Sequence, residues 1–293
     1  MSKKETQNTL LHNKLAPKKR FGQNFLVHQS TAEAIAHSGG IEKTDTIIEV
    51  GVGLGALTIP LAMRAKKVIG LEIDSGLVRY HQENNSLPEN VMLLHSDVLK
   101  TDFAELSKRC GCQLKFMANL PYSISNPFIF KLVENSSYID WVVVMLQKEM
   151  AERLMASPST KAYGIPTVLL GAHATVKKLM RLKPHEFHPR PKIDSLVVRI
   201  DFSTPPAKLR ELPAYNAKIF QIVVRAAFAQ RRKTLENNLA NGNFFGISDK
   251  RKNKDAAIAV IHEAGLKPET RAENLTIPDF VNLTHALEKL QIE

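Results

Sequence analysis

The chain has 293 residues, 44% of them hydrophobic, which is enough for more than one minimal domain and a sizeable core. Forty Lys and Arg stand against 29 Asp and Glu, a formal charge of +11 gathered at Lys14–Arg20, Lys177–Lys183, Arg225–Lys233 and Lys250–Lys254, so a polyanionic partner such as nucleic acid is expected. No apolar run reaches the roughly 20 residues that span a bilayer, Met1–Arg20 lacks the apolar stretch of a secretory signal, and Cys110 and Cys112 lack the spacing of a zinc site. A cytoplasmic protein with no membrane span and no metal is the expectation.

After a basic arm over residues 1–20, apolar and β-branched runs at Thr46–Val50, Lys67–Glu72, Val91–His95, Leu114–Ala118 and Trp141–Gln147 predict buried strands. Helical spacing fills the intervals at Ala56–Ala65, Ser75–Glu83, Asp102–Arg109 and Pro127–Asn135, several opening on a capping Ser or Asp. Such a βαβ series predicts an α/β domain with a parallel sheet covered on both faces. Ile165–Ala174 has helical spacing, and Val176–Leu182 and Ser195–Phe202 predict an edge hairpin. Ser203–Pro213 has the composition of a linker, and Ala214–Asn238, Asp255–Ala264 and Ile277–Leu290 predict the helices of a small domain. The expected division is an arm over 1–20, a catalytic domain over 21–205 and a helical domain over 206–293.

The first strand runs into Glu49-Val-Gly51-Val-Gly53-Leu-Gly55-Ala56 directly before a helix. Glycine there lets the chain leave the strand sharply and approach a ligand closely. Glu72 ends the second strand, 21 residues after Gly51, where a carboxylate can hold ribose hydroxyls. Asp97 follows the third strand and can accept an adenine amino group, with Ile73 and Val98 covering the ring. These features suit an adenosine cofactor of either methyl-transfer or nicotinamide type.

The fourth strand ends in Asn119-Leu120-Pro121-Tyr122. The exocyclic amine of adenine is a poor nucleophile because its lone pair is delocalised into the ring. The Asn119 side-chain oxygen and the Leu120 carbonyl can accept its two hydrogens and localise that lone pair toward an incoming methyl group. Pro121 stiffens the turn, and Tyr122 offers a ring on which a base can stack. Phe187, in His185-Glu-Phe187-His-Pro189-Arg-Pro191-Lys192, is the candidate for the opposite face of an extruded base. A nicotinamide oxidoreductase would explain the glycine loop and Glu72 but not this turn or the basic surface.

These motifs, with Lys18–Leu26, Leu146–Glu149, Lys161–Gly164, Pro189–Ser195 and Ala227–Lys233, closely resemble the ribosomal RNA adenine dimethyltransferases along nearly the whole chain, and within them the bacterial small-subunit enzymes. The resemblance implies a Rossmann-like class I methyltransferase sheet with a small helical C-terminal domain. It implies S-adenosyl-L-methionine as cofactor, held by Asn24, Leu26, Gly51, Gly53, Glu72, Asp97 and Asn119, with Asn24 and Leu26 closing over it. The implied reaction is dimethylation of two adjacent adenosines in the 3′-terminal hairpin of 16S rRNA, on a pre-30S particle, by a monomer. Lys18, Lys19, Arg20, Lys192, Arg225, Arg231, Arg232 and Lys233 are the expected RNA-binding residues. Helical spacing would put Arg225 and Arg232 on similar faces of one helix. Read without the resemblance, Phe21–Leu26 is a loop with Asn24 capping the next helix. Two residues depart from the family's usual pattern: Val52 replaces a proline, and His28 replaces an aspartate. The large-subunit enzymes of the same family and a non-catalytic ribosome assembly factor are the alternative readings.

Overall fold

The computed structural model describes residues 3–13, 15, 22–203, 213–242, 245 and 249–292. The chain divides into two compact units, Met1–Ala151 with Thr175–Thr204, and Glu152–Ala174 with Pro205–Glu293.

In the first unit, helix α1 (Lys3–His12) precedes a two-residue strand, β1 (Phe25–Leu26), and helix α2 (Gln29–Ser38). Strands and helices then alternate as β2 (Thr46–Val50), α3 (Thr58–Ala62), β3 (Lys67–Glu72), α4 (Ser75–Asn84), β4 (Val91–His95), α5 (Phe103–Cys110), β5 (Leu114–Asn119), α6 (Ser125–Glu134) and β6 (Ile139–Gln147). After α7 (Lys148–Leu154) and α8 (Ile165–Gly171) come β7 (Thr175–Leu182), β8 (Phe187–His188) and β9 (Ser195–Asp201). The main sheet has the order β4-β3-β2-β5-β6-β9-β7, with the first five strands parallel and β9 antiparallel to both its neighbours. β7 and β9 make the expected hairpin, with β7 on the edge and β9 inserted beside β6. Alternation along β5 divides the core: Met117 packs with Ile35, Ile47, Leu61 and Val143 on one face, and Phe116 meets Phe103 and Phe128 on the other at ring separations of 5.0 and 6.1 Å. Each such buried side chain contributes roughly 1.5–3 kcal/mol.

The segment read from the sequence as an arm is helical over Lys3–His12, because Leu10 buries itself against Phe25, Leu54 and Leu77. Lys18, Lys19, Arg20 and Phe21 lie outside the described residues, as does most of the expected linker.

The second unit holds α8 and the helices α9 (Ala217–Ala227), α10 (Leu235–Ala240), α11 (Lys250–Glu263) and α12 (Ile277–Ile292). Residues 152–174, counted with the first domain by the sequence reading, group with these helices. The Tyr163 hydroxyl donates to the Leu275 carbonyl at 2.8 Å and the Ser159 amide to that of Glu273 at 2.7 Å. The single helix expected over Ala214–Asn238 is two. Buried Asn238 donates through Nδ2 to the Ala227 and Gln230 carbonyls at 2.6 and 3.1 Å, satisfying the end of α9, while the Leu235 amide leaves for the Thr270 carbonyl. Arg225 and Arg232 therefore occupy different elements, an exposed face of α9 and the turn that follows it. Among the described residues no helix is long and apolar enough to cross a membrane.

Candidate active site

The turn out of β2 is built on left-handed backbone: φ is +79° at Gly51, +59° at Gly53 and +82° at Gly55. A Cβ on Gly51 would sit 3.4 Å from the Asn119 carbonyl, and one on Gly53 3.2 Å from the Phe25 ring, so conformation and close approach both call for glycine. Val52 is buried and packs over Gly70, where any Cβ would lie 2.5 Å from a Val52 methyl. Buried Glu72 fastens the loop, accepting from the Gly53 amide at 2.9 Å and the Asp74 amide at 2.8 Å. Desolvation pushes its carboxyl up, while the two amides pull the other way. His81 of α4 donates through Nε2 to the Gly53 carbonyl at 2.9 Å. A carbonyl only accepts, so Nδ1 is the bare nitrogen and takes the Ser86 hydroxyl at 2.6 Å. Burial lowers the pKa of this imidazole, with the Gly53 bond opposing.

Behind the loop lies Glu49, fully buried, with no hydrogen-bond partner on either oxygen among the described residues. Burial raises its carboxyl to about 8; the nearby Thr58 hydroxyl, outside hydrogen-bond geometry, opposes this, and the Glu72 charge adds to it. Glu49 is thus a neutral carboxylic acid at physiological pH.

The glycine loop, Glu72, Ile73, Asp97 and Val98 form one side of an open cleft, and Asn24, Asn119, Pro121 and Ser123 form the other. Asp97 uses Oδ1 to accept from the Leu99 amide at 2.9 Å, which leaves Oδ2 for a ligand. On the far side Asn119 donates through Nδ2 to the Asn24 carbonyl at 2.9 Å. Only the amide nitrogen can face a carbonyl, so Oδ1 remains as the acceptor that this cleft-lining residue offers. The half-buried Tyr122 is tied through its hydroxyl to Ser195 Oγ at 2.8 Å; burial raises its pKa, with the Ser195 bond opposing. A concave site, mostly apolar with a few convergent polar groups at the C-terminal ends of parallel strands, is the form expected of a cofactor pocket.

The ribosomal RNA adenine dimethylase family matches the chain over residues 14–289. The chain belongs to this family. It is 54% identical over 286 residues to a ribosomal RNA small subunit methyltransferase A of Desulfotalea psychrophila, covering 97% of this chain and 96% of that protein. A Clostridium botulinum protein of the same name is 38% identical over 270 residues, covering 92% and 93%. Among solved structures, a dimethyladenosine transferase from Plasmodium falciparum superposes with a TM-score of 0.74 at 26% identity, over 91% of this chain and 98% of that one. The 23S rRNA methyltransferase ErmE shares the fold at a TM-score of 0.62 and 22% identity, over 90% and 100%.

Within this dimethylase the cleft gathers Asn24, Gly51, Gly53, Glu72, Ile73, Asp97, Val98, Asn119 and Pro121 of the residues expected from sequence. Leu120 and Tyr122 belong to the same turn but do not line the cleft. Three expectations need correction. Phe187 is 1% exposed, its ring packed in the core with Leu26, its partner across β1 and β8, and it does not line the cleft. Leu26 likewise turns into that core and borders only a small void behind the glycine loop. Asn24 caps no helix; its side-chain amide donates to the Gly22 carbonyl, and His28 holds the N-cap position of α2 without a side-chain cap. Of the basic residues, Lys192, Arg225, Arg231, Arg232 and Lys233 are all exposed, and Arg231 is bonded to the Glu273 carboxylate at 2.8 Å and the Thr160 carbonyl at 3.3 Å.

Sequence reasoning missed the residues that brace the cleft. Gln23 Nε2 donates to Asp74 Oδ2 at 3.0 Å, and Asp74 also caps α4 through the Gly76 amide. Asp74 carried a legible capping signal, Asp before Ser-Gly at a helix start. His81 and Ser195 carried none, since their partners are set by tertiary packing.

Proposed function

We propose that the cleft holds S-adenosyl-L-methionine and that the Asn119–Tyr122 turn presents the amine of a target adenosine to it. As a member of its family the chain is an S-adenosylmethionine-dependent rRNA adenine dimethyltransferase. The observation that carries the assignment of the site is the lock between Asn119 Nδ2 and the Asn24 carbonyl, which leaves Oδ1 as an acceptor within the cleft. The donor set fits the cofactor. A carboxylate has about four lone-pair sites, so Glu72 retains capacity for ribose hydroxyls after accepting two amides, and Asp97 Oδ2 suits an adenine amino group. Ile73 and Val98 supply apolar walls for the ring.

When bound, the cofactor supplies an electrophilic methyl carbon on a positive sulfonium. Asn119 Oδ1 and the Leu120 carbonyl accept the two amine hydrogens, localise the lone pair, and stand ready for the proton the amine sheds after attack. Tyr122, its ring held by Ser195, stacks on the base. Lys192, Arg225, Arg232 and Lys233 hold phosphates and so give position without sequence information. The names of the relatives at 54% and 38% identity favour small-subunit rRNA as substrate. The finer reading is two adjacent adenosines of its 3′-terminal hairpin, methylated on a pre-30S particle by a cytoplasmic monomer during ribosome biogenesis.

Incubation with methyl-labelled cofactor and unmethylated small subunits, followed by mass spectrometry of the nucleosides, tests this. Dimethyladenosine confined to the terminal hairpin is expected, and small-subunit RNA left unlabelled while large subunits offered in a parallel reaction take up label would overturn it. Arg232→Ala should weaken RNA binding and reduce its salt slope by about one.

A further inference from the structure

On the side of β1 away from the cleft, Glu186 gathers an unusual set of partners. It ends a 3-10 turn, Pro184–Glu186, that leads directly into β8. Its Oε2 accepts from the Thr31 hydroxyl at 2.7 Å and from His28 Nδ1 at 2.8 Å, while Oε1 faces His185 Nε2 at 3.2 Å. The two imidazoles stand edge to face with centroids 5.9 Å apart. The Glu186 carbonyl also accepts the Val27 amide at 3.0 Å, extending the pairing of Phe25 and Leu26 with His188 and Phe187. Asn24, the residue before β1, offers the carbonyl that fixes Asn119.

We propose that Glu186, held by His28 and Thr31, is a positioning residue for methyl transfer: it locks β1 to β8 and so sets the Asn24 carbonyl that orients Asn119. The proposal rests on the reading of the cleft as the cofactor site. His28 and Glu186 form a matched pair, since a carboxylate at position 28 would face a second carboxylate with only Thr31 and His185 between them and repulsion. Burial raises the Glu186 carboxyl, but Thr31, His28 and His185 outweigh it and hold the group below the ordinary range. The groups facing it are His28 before α2, Thr31 on α2 and His185 on its own turn. His188, two residues on, has its pKa lowered by burial and by Lys3, and Lys183 pairs with Asp194 at 3.7 Å.

The test is calorimetric binding of S-adenosylmethionine to the full chain, with steady-state methylation at saturating cofactor. For Glu186→Gln and His28→Asp, kcat at saturating cofactor is expected to fall roughly 10-fold, as for loss of one charge-assisted hydrogen bond, while cofactor affinity changes less. His28→Asp combined with Glu186→Gln, which restores a donor–acceptor pair, should recover most of the turnover. Wild-type turnover in both single variants would overturn the clamp, as would equal loss in the double variant. Absence of cofactor binding by the wild type would instead overturn the reading of the cleft.

Discussion

The two sides of the cleft are held in place by different means. The glycine-loop side is local: Gly51, Gly53, Glu72, Asp74 and His81 belong to β2, β3, α4 and the turns between them, and every bond among them follows from one βαβ unit. The target side is assembled from afar, Asn119 by a carbonyl 95 residues earlier and Tyr122 by a hydroxyl 73 residues later. A binding surface can be inherited from the fold, whereas the alignment of a reacting amine is adjusted by long-range contacts that the fold does not require.

Asn119→Ala breaks the comparison most severely. It removes both the acceptor and the donor to Asn24, so kcat is expected to fall about 10²–10³-fold, the loss seen when a single preorganised polar group is deleted. Circular dichroism should remain native, because β5 keeps its ladder to β2 and β6. Turnover within a few-fold of wild type would remove Asn119 from the mechanism.

Glu49→Gln sharpens the contrast from the glycine side. Burial holds the Glu49 carboxyl at about 8, above its ordinary 4.5, so the folded state binds the proton more tightly than the unfolded chain. The stability it confers is complete below pH 4.5 and is lost as pH rises through 8. Glutamine, a neutral near-isostere, escapes that loss. The variant's advantage in denaturant unfolding should therefore grow between about pH 5 and pH 8, on the order of 2–4 kcal/mol. An increment independent of pH would mean that Glu49 ionises freely in the fold.

Gly51→Ala touches both sides. A non-glycine residue at φ +79° costs on the order of 1–3 kcal/mol, and its Cβ would meet the Asn119 carbonyl at 3.4 Å. Cofactor affinity should fall roughly 10-fold and thermal stability should drop with it. Lost stability with unchanged affinity would separate the loop's structural strain from binding.

The same division governs what was legible in the sequence. β2 and β3 fall on the expected residues, because apolar runs bounded by turn residues have one way to be buried in a parallel sheet, and β4 falls on its expected residues too, but as a part-exposed edge strand rather than a buried one. Gly51, Glu72 and Asp97 were readable because strand ends in such a sheet converge on one crevice. Phe187 was not, since its pairing with Leu26 across 161 positions of chain turns the ring inward. The break after Ala227 was equally hidden: helical spacing continues through it, and only Asn238 reaching back to two carbonyls and Leu235 bonding to Thr270 end the helix.

Tyr122→Phe gives the smallest effect and the finest test of the target side. The ring remains for stacking while the hydroxyl bond to Ser195 is lost, a change of about 1 kcal/mol. Ser195 is itself buried, so its hydroxyl is left without that partner, and Ser195→Ala in the same background should recover part of the stability. If the bond chiefly orients the ring, kcat should fall by roughly 5-fold with cofactor affinity unchanged, and the double variant should regain stability without regaining turnover. Equal loss of cofactor affinity would show that the two sides of the cleft are coupled through this turn rather than built independently.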